Sequence, residues 1–87
     1  MRISDYKANE PYKVAEAVTP HDSTNFTNGA CDALFVGDGG TELTVIMGGS
    51  PFTFTNVPNG TLLPIKATRV NDTNTDATDL VALYYGR

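Results

Sequence analysis

The chain has 87 residues, one cysteine and a formal net charge of -4, so no internal disulfide can form and the few scattered basic residues argue against a nucleic-acid partner. No apolar run approaches the roughly 20 residues of a membrane span, and the polar N-terminus lacks the apolar core of a secretory signal, so we expect no membrane partner and synthesis in the cytoplasm. A domain this small is marginally stable as a monomer, and we therefore expect oligomerisation to support it.

Two parts are predicted, an N-terminal arm at residues 1–16 and a β domain at 17–87. The arm mixes charged and polar residues with Tyr6 and Tyr12, a composition typical of weak structure. About twenty extended residues reach roughly 65 Å, whereas the remaining chain has an expected radius of gyration of about 11 Å. An ordered arm is therefore long enough to extend beyond its own subunit and dock on a neighbour, and the alternative is a frayed terminus.

The chain enters the β domain through a short apolar segment. Residues 14–18 are predicted to form a first strand, and the alternative is a short helix capped by Asn9. Phe26, after a polar turn, is predicted to anchor the arm where it meets the core.

The remaining strands are predicted from their apolar patterns at 31–36, 41–47, 52–55, 62–70 and 80–85. Glycine-rich and Asn-Gly turns separate the first four of them. Phe52 and Phe54 alternate with threonines, so both rings are predicted to point inward. Ile46 breaks the alternation of its strand, which indicates a locally covered outer face. Pro64 has no N–H group, so its strand is predicted to lie at a sheet edge or to contain a bulge.

The last predicted strand, 80–85, is apolar on both faces. Such a strand is buried on both sides, either centrally in a sandwich or against another subunit. About six short strands at this spacing indicate an all-β fold, either a β-sandwich or a small barrel. For Tyr84, core packing and an interface role both remain open.

The polar loop before the last strand resembles the opening of a calcium-binding loop, with Asp72, Asn74 and Asp76 at alternate positions. The pattern then fails, because Ala77 and Leu83 stand where such loops carry a glycine and a bidentate glutamate. An ordinary solvated turn is the favoured interpretation.

His21 and Cys31 are the only histidine and the only cysteine of the chain. The histidine follows a proline in a turn and is predicted to be a hydrogen-bonding surface group. The cysteine begins an apolar strand and is predicted to be a small buried side chain. Nothing in the sequence supplies an orienting third group or an oxyanion hole, so we expect neither an enzyme nor a cofactor.

Several segments, taken in order, resemble a family of short virion proteins in tailed phages and phage-derived gene transfer agents. They are AVTPHDST at 17–24, ALFVG at 33–37, VPNGTLLPIK at 57–66, RVN at 69–71 and ATDLVALY at 77–84. The family includes the base protein of a head spike, and similar small proteins serve as capsid cement or decoration. The resemblance implies a small β-sandwich or barrel of jelly-roll type that oligomerises on the particle surface. Residues 1–16 lie outside it.

The resemblance also implies the function, a non-enzymatic virion protein on the capsid surface that acts as a cement or decoration protein or as a head-spike base. Its implied partners are further copies of itself, with a trimer favoured over a pentamer, the major capsid protein, and a spike or fibre protein. The alternative is a glycan- or host-surface-binding module, although the chain has no tryptophan for an aromatic platform. The residues predicted to contact partners are Tyr6, Tyr12, Val14, Phe26, Tyr84 and Tyr85.

Overall fold

The computed structural model describes residues 11–86, and every regular element in that range is a β-strand. The strands are β1 (Val14–Val18), β2 (Ala33–Asp38), β3 (Glu42–Met47), β4 (Ser50–Thr55), β5 (Thr61–Leu63), β6 (Arg69–Val70) and β7 (Thr78–Tyr84). They form two antiparallel sheets, a large sheet in the order β1-β7-β2-β5 and a small sheet in the order β4-β3-β6. The predicted all-β fold is confirmed, whereas the jelly-roll connectivity stays a prediction.

The two sheets pack against each other over one apolar core. Leu34 and Val36 of β2 contribute from the large sheet, and Leu43 and Val45 of β3 contribute from the small sheet. All four side chains are fully buried. Within each strand they lie two residues apart, as side chains on one face of a strand must. The described part of the chain is therefore a β-sandwich.

Strand β7 lies between β1 and β2 in the large sheet, which is one of the two positions predicted for it. Its inward residues Leu80, Ala82 and Tyr84 are buried in the core. Its outward residues Val81 and Leu83 are only half-buried. One chain therefore buries one face of this apolar strand and leaves the other face partly exposed.

The predicted strand at 62–70 is in fact two strands in different sheets. Strand β5 ends at Leu63, directly before Pro64, and lies at the edge of the large sheet. This position agrees with the edge predicted from Pro64, which has no N–H group. The chain then crosses the end of the sandwich, where the Cys31 N–H donates to the Ala67 carbonyl at 2.9 Å. It joins the small sheet as β6, paired with β3. The prediction of one continuous strand was wrong.

Strands β3 and β4 form a hairpin across Gly48 and Gly49, whose φ angles of 60° and 83° are those a two-residue turn needs. Phe54 of β4 packs against the core, but Phe52 is 51% exposed. Both rings lie on the inner face of β4, as predicted, since Phe52 pairs with the buried Val45, but only Phe54 reaches the core, and the exposure of Phe52 was not predicted. The physical reason is that β4 is an edge strand, paired on one side only, so part of its inner face extends past the core.

The outer face of β3 is covered locally, as the interrupted alternation predicts. Ile46 is 8% exposed and Thr44 is 4% exposed. The Thr44 hydroxyl donates to the Asn74 carbonyl at 2.9 Å, and its N–H donates to the Thr75 hydroxyl at 2.9 Å. The polar loop before β7 therefore folds back over the small sheet.

The predicted first strand is confirmed as β1, and the helix alternative is wrong for these residues. Strand β1 crosses the predicted boundary between the arm and the β domain at 16/17. Pairing with β7 begins still earlier, because the Lys13 N–H donates to the Tyr84 carbonyl at 2.8 Å. Residues 1–10 lie outside the described range, so the extended arm stays a prediction.

Candidate interaction surfaces

The outer face of the large sheet is apolar across all four strands. Val81 of β7 pairs with Ala17 of β1 on one side and with Phe35 of β2 on the other. Phe35 in turn pairs with Leu62 of β5. Directly paired residues project from the same face of a sheet, so these four side chains form one row.

A second row lies beside the first, because Leu83 pairs with Ala15 on β1 and with the buried Ala33 on β2. We call this surface the apolar outer face and define it by its accessible members: Ala15, Ala17, Phe35, Leu62, Val81 and Leu83. Phe35 is 36% exposed and Leu62 is 43% exposed.

The apolar outer face carries no charged side chain between Asp79 at one end of β7 and Tyr85 just beyond the other end. With strands about 4.8 Å apart, about five residues from each of β1, β2 and β7 and the three residues of β5 cover on the order of 300 Å². A contiguous apolar patch of that size on a small protein is often a functional surface. From the sequence, the apolar outer face is predictable only at β7, since Phe35 and Leu62 become neighbours through strand pairing.

The outer face of the small sheet has a different chemistry. Its exposed strand residues include Thr53 and Thr55 of β4, and Glu42 pairs directly with Thr55. Thr53 shares a hydrogen bond with the Thr44 hydroxyl at 2.8 Å. The sandwich is therefore asymmetric, with an apolar exterior on the large sheet and a polar exterior on the small one.

Two of the predicted partner-contact residues meet at the end of the large sheet. The rings of Tyr12 and Tyr85 stack with their centroids 4.7 Å apart and an interplanar angle of 18°. Hydrogen bonding to Tyr85, together with burial, raises the pKa of Tyr12. Each ring therefore covers one face of the other.

The other predicted contact residues lie on the core side. Tyr84 is fully buried, and its hydroxyl donates to the Gly29 carbonyl at 2.8 Å, so it is a core residue. Val14 and Phe26 are partly buried and pack against the core. Their contact with a partner stays a prediction, and Tyr6 lies outside the described residues.

Carboxylates hold the loops at the open ends of the sandwich. Asp76 accepts hydrogen bonds from the Thr41 hydroxyl at 2.6 Å, the Thr41 N–H at 2.8 Å and the Glu42 N–H at 3.0 Å. The Thr41 hydroxyl and these two N–H groups lower the pKa of Asp76. In the loop that resembles a calcium site, this carboxylate is thus engaged by protein donors. Residues 11–86 contain no group of three acidic, histidine or cysteine side chains that would suit a metal ion.

Asp22 and Glu16 hold two further loops. Asp22 accepts from the Thr73 N–H at 2.8 Å and from its hydroxyl at 2.7 Å, and these bonds lower its pKa. Glu16 of β1 accepts from the N–H groups of Thr27 at 2.8 Å and Asn28 at 3.1 Å. Burial alone would raise the pKa of Glu16, but these hydrogen bonds outweigh burial and lower it.

The cleft beside β1 is smaller than a typical ligand pocket. It has a volume of about 230 Å³ and is lined by residues that include Glu16, His21 and Phe26. Pockets for small molecules usually span about 300–1,000 Å³ and are mainly apolar. The Glu16 carboxylate in the wall of this cleft also holds the loop at 27–28 through hydrogen bonds.

The two residues considered for nucleophilic chemistry have structural roles. His21 is exposed, and its Nδ1 accepts from the Ser23 N–H at 3.1 Å, which confirms the predicted surface role. Cys31 is fully buried and its thiol donates to the Ile65 carbonyl at 3.3 Å, as predicted for a buried side chain. Burial raises the pKa of Cys31, so its reactive thiolate form is disfavoured.

Within residues 11–86, no helix is long and apolar enough to cross a membrane.

Comparison with known proteins relates this chain to a solved structure. No protein-family model matches the chain, and no curated protein matches it. A solved structure does match: a protein in the capsid of a native gene transfer agent (GTA) particle, computed with C5 symmetry. The two chains are 34% identical over 84% of this chain and 83% of that chain, with a TM-score of 0.72. This chain therefore belongs to the same family as that GTA capsid protein.

Proposed function

We propose that this chain is a non-enzymatic structural protein in the virion of a tailed phage or gene transfer agent. It binds the capsid, either as a cement or decoration protein or as the base of a head spike. The observation that carries the proposal is the 34% identity to a GTA capsid protein over most of both chains. We therefore expect the protein to be located in the particle.

The physical features of the chain support a binding role. Its histidine and cysteine hold local structure, and its carboxylates tie loops to strands, as the hydrogen bonds of Asp76 illustrate. The main surface feature is the apolar outer face, which has no charged side chain. A capsid presents many identical sites, so weak contacts per copy add up when copies also touch each other.

The first test uses particles produced by the host that encodes the chain. Purified particles should contain the chain in a fixed ratio to the major capsid protein, measured by quantitative mass spectrometry. A ratio that persists through a density gradient supports a structural role. Absence of the chain from intact particles would contradict it.

Deletion of the gene separates the two virion roles. For a cement protein, the mutant shells should disassemble at lower temperature than wild-type shells, because the extra surface that joins capsomers is gone. For a spike base, the mutant shells should be as stable as wild type and lack their spikes. Shells that are unchanged in both stability and appearance would contradict both roles.

The oligomeric state is expected to match the position on the shell. We favour a trimer over a pentamer, as suits a decoration protein at local threefold sites, whereas a spike base at a vertex would be pentameric. Light scattering of the purified protein at micromolar concentration distinguishes the two masses.

A further inference from the structure

We infer that the apolar outer face of the large sheet is the surface by which this chain docks on the capsid shell, with Phe35 and Leu62 as its main anchors. The inference rests on the proposed function and adds the contact surface, the chemistry of the partner and the orientation of the sandwich. The partner surface on the shell protein is apolar and uncharged.

The apolar outer face is partly exposed to water in the single chain. Leu62 is 43% exposed and Phe35 is 36% exposed, although both lie in paired strands. Val81 and Leu83, on the central strand, are also only half-buried. A sheet exterior exposed to water is normally polar, as on the small sheet of this protein, where threonines occupy β4. An apolar exterior on one sheet only indicates that this sheet meets a partner.

The small area of the apolar outer face argues against a second copy of the chain as its partner. The face covers on the order of 300 Å², so two copies meeting through it would bury about 600 Å² in total. Specific protein complexes usually bury about 1,200–2,000 Å². The face alone is therefore too small for a stable pair of free copies. It suits attachment to an array, where each copy gains from neighbours bound at the same time.

The chemistry and shape of the apolar outer face indicate what the partner surface must offer. The chain has a net charge of -4, yet the face itself has no charged side chain. Attraction at this surface must then come from apolar burial, and an unpaired charge on the partner would be penalised. The side chains grow from Ala17 at the β1 edge to Phe35 and Leu62 at the β5 edge. The partner should offer a flat region for β1 and a shallow apolar depression for Phe35 and Leu62.

The experiment measures binding of the full-length chain to empty shells assembled from the capsid shell protein encoded in the same genome. The test variants are Leu62→Lys, Leu62→Glu and Phe35→Thr. The control is Thr55→Lys, which adds the same charge at an exposed edge-strand position of the opposite sheet. Co-sedimentation gives the apparent affinity, circular dichroism melting verifies folding, and light scattering without shells gives the solution mass.

We expect Leu62→Lys and Leu62→Glu each to weaken shell binding by about tenfold or more, because either charge would be buried without a partner. Phe35→Thr should weaken binding in the same direction without any change in charge. Thr55→Lys should bind like the wild type. A loss with both signs of charge identifies apolar burial rather than electrostatic attraction.

Three results would overturn the inference in distinguishable ways. If the wild type binds shells and both folded Leu62 variants bind equally well, the docking surface is elsewhere and the proposed function stands. If the Leu62 variants lower the solution mass in the absence of shells, the face joins copies of this chain and the shell is not its occupant. If the wild type binds no shell, the proposed function fails and this inference with it.

Discussion

Phe35 of β2 and Leu62 of β5 are register partners on the exterior of the large sheet, and each exposes more than a third of its surface, 36% and 43% respectively. Neither residue packs into the core of its own chain. Their place next to Val81 makes them part of an apolar surface that spans four strands.

Leu62→Lys and Phe35→Thr should leave the fold intact. Because both side chains lie outside the core, each change should alter the free energy of unfolding by about 0.5 kcal/mol or less. Urea unfolding followed by tyrosine fluorescence gives this value. A loss of several kcal/mol would mean that these residues support the fold, and they would then be unsuitable as docking anchors.

Tyr84 should be a stability residue. Tyr84→Phe removes the hydroxyl that donates to Gly29, which should cost about 1 kcal/mol. Tyr84→Ala also removes a fully buried ring and should cost about 3–5 kcal/mol. The same unfolding assay measures both. Equal effects of the two variants would contradict the buried position of the ring.

Asp76 should make the stability of the folded chain depend on pH. Its pKa in the folded chain lies below the ordinary value of 3.8, so its contribution is present above that pH and is lost as pH falls through the lower folded value. Asp76→Asn should therefore melt at a lower temperature than wild type at pH 7, and the difference should shrink below about pH 4.

The control for Asp76 is Asp72→Asn, which removes the same charge from the exposed loop before β7. Thermal melts of the three proteins between pH 7 and pH 2 provide the comparison. The account predicts a larger pH-dependent difference for Asp76→Asn. Superimposable curves for the two variants would show that the hydrogen bonds to Thr41 and Glu42 contribute nothing specific.

Gly39 should not tolerate a side chain. A Cβ atom there would overlap the carbonyl of Val57, so Gly39→Ala should destabilise the chain by about 1–3 kcal/mol. Gly86→Ala is the matched control, since no atom beyond its two chain neighbours lies within 4 Å of the place its methyl group would occupy. Differential scanning calorimetry compares the two. A Gly39→Ala protein with the melting temperature of the control would refute the close approach.

Removal of residues 1–10 should leave the sandwich folded, because β1 begins at Val14 and its pairing with β7 starts at Lys13. Removal of residues 1–16 should destabilise it, since that deletion takes part of β1 and the Glu16 carboxylate that holds Thr27. We further expect both deletions to weaken assembly on the shell. Circular dichroism and co-sedimentation measure the two effects, and a shorter deletion that unfolds the chain would contradict the first expectation.

Much of the fold follows from local sequence patterns. Gly48-Gly49 predicts the hairpin because a tight hairpin turn needs positive φ angles, which glycine adopts readily. Pro64 predicts a sheet edge or a bulge because it lacks an N–H group. The apolar run at 80–85 predicts a strand buried on both faces, either centrally in the sandwich or against another subunit, since it has no polar face. In each case the cause lies within a few residues of the effect.

The remainder depends on contacts between distant residues. A strand pattern does not report which sheet a strand joins, so the break between β5 and β6 at the end of the sandwich was not predicted. The exposure of Phe52 depends on where the core ends, and its partner Val45 is fully buried. The apolar outer face was likewise missed at Phe35, because its neighbour Leu62 is brought beside it only by strand pairing.

The most direct measurement is a cryo-electron microscopy map of particles from the host that encodes this chain, at a resolution that separates β-strands. The account predicts a seven-stranded sandwich on the capsid exterior, with the large sheet against the shell and Phe35 and Leu62 at the contact. A map in which the sandwich is absent from the capsid would contradict the proposed function. A map in which the small sheet faces the shell would contradict the docking surface alone.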